Sequence, residues 1–283
     1  MVLTRTRTQT RFVVLTPSKI AVPGIFRKVE TDRRRHDELF AGMQRFRGNV
    51  YHGDGAIEAH ELTADGRHKL SIDEQSWHLL SLDQNDQVCA CLRYTEARHA
   101  TGFDDLWIRH SALAQCPTLG GRFREAVEQG MEQARRMKLG FGEMGGWAVA
   151  EAFRWTAEPL RIILATCGLL NLMGGSAGVA TATFRHSSST ILKRIGLSSI
   201  LADGRELPPY FDPRYRCKME VLQFDSRYPN PKYGDLVCEL SADLLDAPVI
   251  CRDNFAPTHH GVLGGFEVAA RPVLAAQLAY AGI

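Results

Sequence analysis

The chain lacks any Cys-x-x-Cys pair and any cysteine–histidine spacing suited to zinc. Its seven cysteines are scattered, which fits free thiols in a reducing compartment and predicts a cytoplasmic protein with no metal site. A surplus of one charge is also missing. The formal net charge of +2 is too small to argue by itself for nucleic acid or an acidic membrane, and no nucleic acid is expected as a partner. Long apolar runs are absent too. The best one, residues 160–173, is broken by Arg161, Gly168 and Asn171 and is too short to span a bilayer, so it reads as a buried helix. No internal repeat is found. What remains is 45% hydrophobic and 23% charged, a balance that excludes a disordered or fibrous chain. A length of 283 residues allows one large domain, or one domain with extensions.

Acid is missing from the start of the chain: Arg5, Arg7, Arg11, Lys19, Arg27 and Lys28 all precede Glu30, the first carboxylate. That bias suits a transit peptide, a surface that grips an anionic partner, or a solvated arm whose apolar pieces pack on the domain. No apolar signal core accompanies it, so residues 1–32 are read as a basic arm. The main domain is expected over residues 33–225. Beyond it, Pro229, Pro231, Pro248 and Pro257 interrupt any pattern, and residues 226–283 read as an extension that wraps the domain or covers a site. The pair His259-His260 lies there without acidic partners and reads as solvated.

Residues 33–43 predict a helix, with Leu39, Phe40 and Met43 at core spacing. Residues 76–83 and 88–94 predict a hairpin around Gln84-Asn85-Asp86. In the second strand Cys89, Cys91 and Arg93 share a face, and an arginine placed there must meet an anion. Leu119, Phe123, Val127, Met131 and Ala134 mark an amphipathic helix. A glycine-rich strand over 140–149, a buried helix over 159–173 and a small-residue strand over 177–184 follow. Ser187 or Ser188 is then placed to cap a short helix that Gly196 ends, and a last strand covers 215–225. The order is that of a mixed α/β (α+β) fold with a strand–helix–strand crossover at its centre.

The stretch 143–196 carries the most chemistry. Its strand ends near Val149, a turn carries Arg154, and a helix starts near Thr156. A helix start offers unpaired N–H groups and a positive dipole end, able to hold a diphosphate or the phosphate of phosphopantetheine. Arg154 adds a charged fork. An ordinary crossover whose Arg154 meets a surface carboxylate has the same pattern, and both readings stand.

The segment EMGGWAVAEAFRWTAEPLRIILATCGLLNLMGGSAGVATATFRHSSSTILKRIG, with DGRHKLSIDEQSWHLLSLDQNDQVCACLRY before it, resembles the GNAT superfamily of acyltransferases. It is most similar to the branch of N-acyl amino acid synthases and acyl-homoserine-lactone (autoinducer) synthases. In that branch an acid precedes the second strand, an arginine ends the third and a glutamate opens the fourth; Asp73, Arg93 and Glu143 stand at those places. The resemblance implies a mixed, splayed central sheet flanked by helices, with an acyl thioester entering a gap between the family's fourth and fifth strands. It implies acyl-CoA, or the phosphopantetheine of an acyl carrier protein, as donor and a small-molecule amine as acceptor. The thioester carbonyl would accept a backbone N–H near Trp147 and Val149, and the phosphates would lie over Arg154, Thr156 and Ala157. The chain departs from the pattern in three places. Ala157 and Pro159 replace the glycines of the phosphate loop, Leu192 stands where many members carry a tyrosine acid, and Gly146 stands where the autoinducer synthases carry an arginine.

An amine must lose a proton before it attacks, and a buried carboxylate with a raised pKa can take it. Glu143 is the candidate base, or else it pairs with Arg93 to hold the sheet. Arg93 is the candidate to orient Glu143 or a substrate carboxylate. Asp73 either binds the acceptor's ammonium or caps a turn. His186 either titrates in the reaction or is structural. Cys89, Cys91 and Cys167 read as small core residues, so direct attack without a covalent acyl-enzyme is expected. The expected activity is N-acyl transfer to an amino acid or other small amine. An autoinducer-type synthase using S-adenosylmethionine and a GNAT-shaped sensor without turnover are the alternatives. Oligomeric state is not legible.

Overall fold

A computed structural model describes residues 10–98 and 100–253. Arg5, Arg7, Pro257, His259 and His260 lie outside the described residues. The chain runs β1 (Arg11–Leu15), β2 (Val29–Thr31), α1 (Arg33–Gly53), β3 (Trp77–Leu82), β4 (Val88–Glu96), α2 (Gly120–Arg136), β5 (Gly140–Val149), α3 (Glu158–Leu172), β6 (Ser176–Thr183) and α4 (Ser188–Ile195). It continues through β7 (Ser198–Ser199), β8 (Leu201–Ala202), β9 (Arg205–Glu206), β10 (Tyr210–Asp212), β11 (Cys217–Asp225), α5 (Gly234–Leu245) and β12 (Val249–Cys251).

One mixed sheet has the order β10-β11-β6-β5-β4-β3-β1-β12-β2, with β7 beside β11. Its pairs are antiparallel except β5/β6, β1/β12 and β12/β2. The helix α3 is the crossover between the parallel strands β5 and β6, as the sequence pattern predicts. Period-two alternation sorts the strand residues onto two faces. Val13, Leu15, Leu80 and Cys91 pack with Met43 of α1, and Val179 and Val221 pack with Phe123, Val127 and Met131 of α2. Phe12, Val14, Leu79, Leu92 and Leu222 pack on the opposite side with α3 and α5. The helix α3 is buried on every side from Arg161 to Leu170 because it lies between the sheet and α5, whose Ser241 approaches Gly168 so closely that a Cβ there would meet its hydroxyl at 2.6 Å.

Three expectations need correction. The first helix does not end at residue 43; it continues to Gly53, because Arg47 and Gly48, which interrupt the apolar stripe, are both buried in the interior. The sheet does not respect boundaries at 32 and 225. The strand β1, inside the basic arm, pairs with β3, and β12, inside the extension, inserts between β1 and β2. Parallel pairing of chain segments more than two hundred residues apart leaves no local trace. Ser187 precedes α4 without capping it by its side chain and sits at φ +59°, as does His186 at φ +55°.

The feature that makes a site lies in β5. It pairs with β6 only from Gly140–Ser176 to Met144–Ala180. Beyond that the register with β4 shifts between Cys91 and Arg93, so that Gly146 and Trp147 face Leu92 alone. This is a β-bulge, and Gly146 takes the left-handed φ of +63° that it needs. After the bulge β5 stays with β4 and leaves β6.

Candidate active site

A cavity of about 760 Å³ opens where β5 and β6 part, and both Glu143 and Arg154 line it. Val149 lies past the bulge. Ala150 donates its N–H to the Cys89 carbonyl at 2.8 Å, so Val149, one residue earlier, turns its own N–H and C=O away from β4. Its carbonyl accepts Nε of Arg154 at 3.2 Å. Its N–H faces the gap, where pairing with β6 has already ended. Trp147 is fixed by its carbonyl, which accepts the Tyr51 hydroxyl at 3.2 Å.

Glu143 is 9% exposed and sits on the cavity wall. Its Oε1 accepts the Trp107 N–H at 2.6 Å and its Oε2 the Ile108 N–H at 2.7 Å. The carboxylate therefore holds down the segment that covers this face of the sheet, while each oxygen keeps a second lone pair. Burial pushes its pKa up from the ordinary carboxylate value, against the pull of the two N–H donors and the Arg93 charge.

Arg93 is not the ion partner of Glu143. Its Nη1 donates to Asp73 Oδ1 at 3.2 Å. Asp73 is fully buried and also accepts Arg47 through Oδ1 at 3.0 Å and Oδ2 at 2.6 Å, Gln44 at 3.1 Å and the Leu70 N–H at 3.2 Å. Burial alone would raise its pKa, but the hydrogen bonds and charge of Arg47 outweigh that and hold it well below the usual range. With its lone pairs filled and no place on the cavity wall, Asp73 neither binds an acceptor nor simply caps a turn. It neutralises two buried guanidinium groups.

Three residues that line the cavity each carry one buried polar atom without a protein partner among the described residues: Arg93 Nε, Trp147 Nε1 and Tyr210 Oη. Such groups cost about 1–3 kcal/mol each unless something satisfies them.

At the cavity's lip Arg154 forms a two-pronged pair with Asp54, at 2.9 and 2.8 Å. His186 Nε2 lies 3.6 Å from the same carboxylate. Thr156 and Ala157 are exposed and stand off the wall. Thr156 Oγ1 accepts the Glu158 N–H at 3.1 Å, and Pro159 has no N–H, so the first turn of α3 keeps few free donors. The Glu158 carboxylate turns inward to Ser81, Thr10 and Arg161. Burial pushes the thiols of Cys89, Cys91 and Cys167 up to about 12, which leaves little thiolate for nucleophilic work.

The site brings together Glu143, Arg93, Trp147, Val149, Arg154 and His186 and leaves out Asp73, Thr156 and Ala157. Sequence reasoning missed Arg47, Asp54 and the Trp107–Ile108 backbone. Arg47 was detectable as a charged residue four positions after Met43 on an apolar stripe. Backbone donors carry no signature in residue type.

By sequence, no family model and no curated protein matches the chain. By structure it is similar to BjaI, a CoA-dependent acyl-homoserine lactone synthase, with SAM and isopentyl-CoA. The identity is 13% and the TM-score 0.51, over 87% of this chain and 93% of that one. The same synthase with MTA gives 13% and 0.52 over the same shares. FeeM, an N-acyl amino acid synthase from uncultured soil microbes, gives 10% and 0.44 over 76% and 91%. The likeness is one of fold: a mixed sheet flanked by helices, of the GNAT type.

Proposed function

We propose that this protein is an N-acyltransferase that moves an acyl group from a thioester to a small amine by direct attack. The observation that carries the reading is the opening between β5 and β6, into which the Val149 N–H points and on whose wall Glu143 stands. The donor's carbonyl oxygen accepts the Val149 N–H, and Glu143, directly or through a water, takes a proton from the acceptor's ammonium. The amine nitrogen then attacks the carbonyl carbon, and the oxyanion that forms is stabilised by the preorganised N–H. The C–S bond breaks as the nitrogen gives up its second proton, which the departing thiolate takes; a neutral amide and a free thiol remain, and Glu143 returns its own proton to water.

Arg93 is the positioning residue. Its guanidinium, on the cavity wall and shared with Asp73, places a positive charge beside the acceptor, which favours an amino acid's carboxylate over a plain amine. At the donor's far end the fit is poorer. Arg154 is neutralised by Asp54 and α3 offers few N–H groups, so a diphosphate gains little there. This favours a pantetheine arm on a carrier protein over CoA.

The test is release of thiol from acyl-CoA and from acylated carrier protein, against a panel of amino acids, plain amines and S-adenosylmethionine. Transfer to an amino acid supports the reading. Donor binding with no thiol released on any acceptor removes it and leaves a ligand sensor.

A further inference from the structure

Tyr51 lies in the last turn of α1, one helical turn after the buried Arg47, and lines the cavity. The end of α1 is firmly seated. Arg47 is held by Asp73 and by the His68 carbonyl, and its Nη1 lies 3.4 Å from the point where a Cβ on Gly146 would stand. A Cβ on Gly48 would meet the Gly66 carbonyl at 2.8 Å. These contacts press the helix end against the bulge of β5.

Past that bulge β5 turns one backbone edge to the gap that β6 has left. Trp147 and Val149 are alternate residues, so their N–H and C=O groups point the same way, off β4. The Tyr51 hydroxyl donates to the Trp147 carbonyl at 3.2 Å, and Arg154 Nε donates to the Val149 carbonyl at 3.2 Å. The Val149 N–H lies between these two bonds. It is about 4–5 Å along the strand from the Trp147 carbonyl, at about 3.4 Å per residue. A thioester whose oxygen accepts the Val149 N–H therefore has its carbon and sulfur beside a phenol hydroxyl. Glu143 shares the face from which Tyr51 comes: it lies opposite Thr95, which alternates with Cys91 on the side of α1.

Collapse of the tetrahedral intermediate moves one proton from nitrogen to sulfur. An alkyl thiol has a pKa of about 8.5, so its thiolate leaves more readily as it is protonated. Glu143 already holds the first proton of the ammonium. A hydroxyl can give one proton and accept another in the same step. Desolvation pushes the pKa of the Tyr51 phenol up from its ordinary value, so ionising it is costly. A relay that leaves the phenol neutral before and after avoids that cost.

We propose that Tyr51 is a catalytic residue of the acyl transfer proposed above, a reading on which this inference rests. Its hydroxyl gives its proton to the departing sulfur while its oxygen takes the second proton of the attacking nitrogen. The C–S bond breaks, an S–H bond forms, and the phenol ends as it began.

The test compares one acyl group on two leaving groups: pantetheine, and 2-nitro-5-thiobenzoate, whose arylthiolate departs without a proton. Tyr51→Phe should slow single-turnover transfer from the pantetheine thioester by about 100-fold, with the half-saturating donor concentration unchanged within about twofold. From the arylthioester the loss should be under about fivefold. Both rates come from one variant, so any loss of folded protein cancels in their ratio. An equal loss from both donors, or a raised half-saturating concentration with the rate unchanged, gives Tyr51 a structural or binding role and overturns the relay. Undiminished transfer from pantetheine overturns it too, and leaves acyl transfer by the wild-type chain standing. Absence of transfer by the wild-type chain from either donor to any amine removes the acyltransferase reading, and the relay with it.

Discussion

Asp73 and Glu143 are both buried carboxylates close to the charge of Arg93, and the structure puts them to opposite ends. Asp73 is enclosed by five donors from α1, β4 and the loop before β3, and two of its neighbours are full positive charges. Glu143 meets only two backbone N–H groups and looks into open volume. The lesson is one of saturation. A carboxylate whose lone pairs are filled by cations is held ionised and inert, whereas one that is desolvated with lone pairs to spare has a raised pKa and room for a proton.

The comparison breaks first at Asp73. Asp73→Asn removes the charge opposite Arg47 and Arg93 and should cost about 3–5 kcal/mol of stability, as buried pairs do when one partner goes. Urea unfolding checks this, and a loss below about 1 kcal/mol, the range of surface pairs, would show that water reaches the cluster.

The same region sets the pH dependence of folding. Burial lowers the pKa of His68 and of His78 to about 4. The unfolded chain takes up these protons near pH 6.5, before the folded chain does, so stability is fully present above that value. It is lost as the pH falls toward 4, by about 3 kcal/mol per histidine. Urea midpoints measured across this window should fall steeply. His68→Phe, which removes a ring with both nitrogens unpartnered, should flatten the slope.

At Glu143 the expected effect is on rate. Glu143→Gln should slow acyl transfer by about 100-fold, equivalent to about 2.7 kcal/mol, with donor binding retained. The wild-type rate should show an acid limb above the ordinary carboxylate range that the variant lacks. A limb that survives the substitution assigns the proton to another group. The smallest effect is expected at Arg154. Its pair with Asp54 is partly exposed, so Arg154→Ala should cost under about 1 kcal/mol and change donor affinity little. A large rise in the KM of acyl-CoA but not of acylated carrier protein would return a diphosphate to this lip.

Legibility in the sequence followed the reach of each signal. The hairpin, the amphipathic α2, the glycine-bearing β5 and the buried α3 were all readable, because period and turn chemistry act over a few residues. Glu143, Arg93 and Trp147, singled out by type and place, do line one cavity. The ending of α1 was misjudged, since a buried arginine and a buried glycine look like breaks in a stripe.

Local pattern thus determined by itself that this chain alternates strands and helices, crosses over between β5 and β6, and carries a glutamate on its central strand. Tertiary structure alone decided which carboxylate stays open, that β1 and β12 complete the sheet, and that Asp54 claims Arg154. These outcomes depend on pairing between residues far apart in sequence, where burial and the count of available donors, rather than residue type, fix the chemistry of a group.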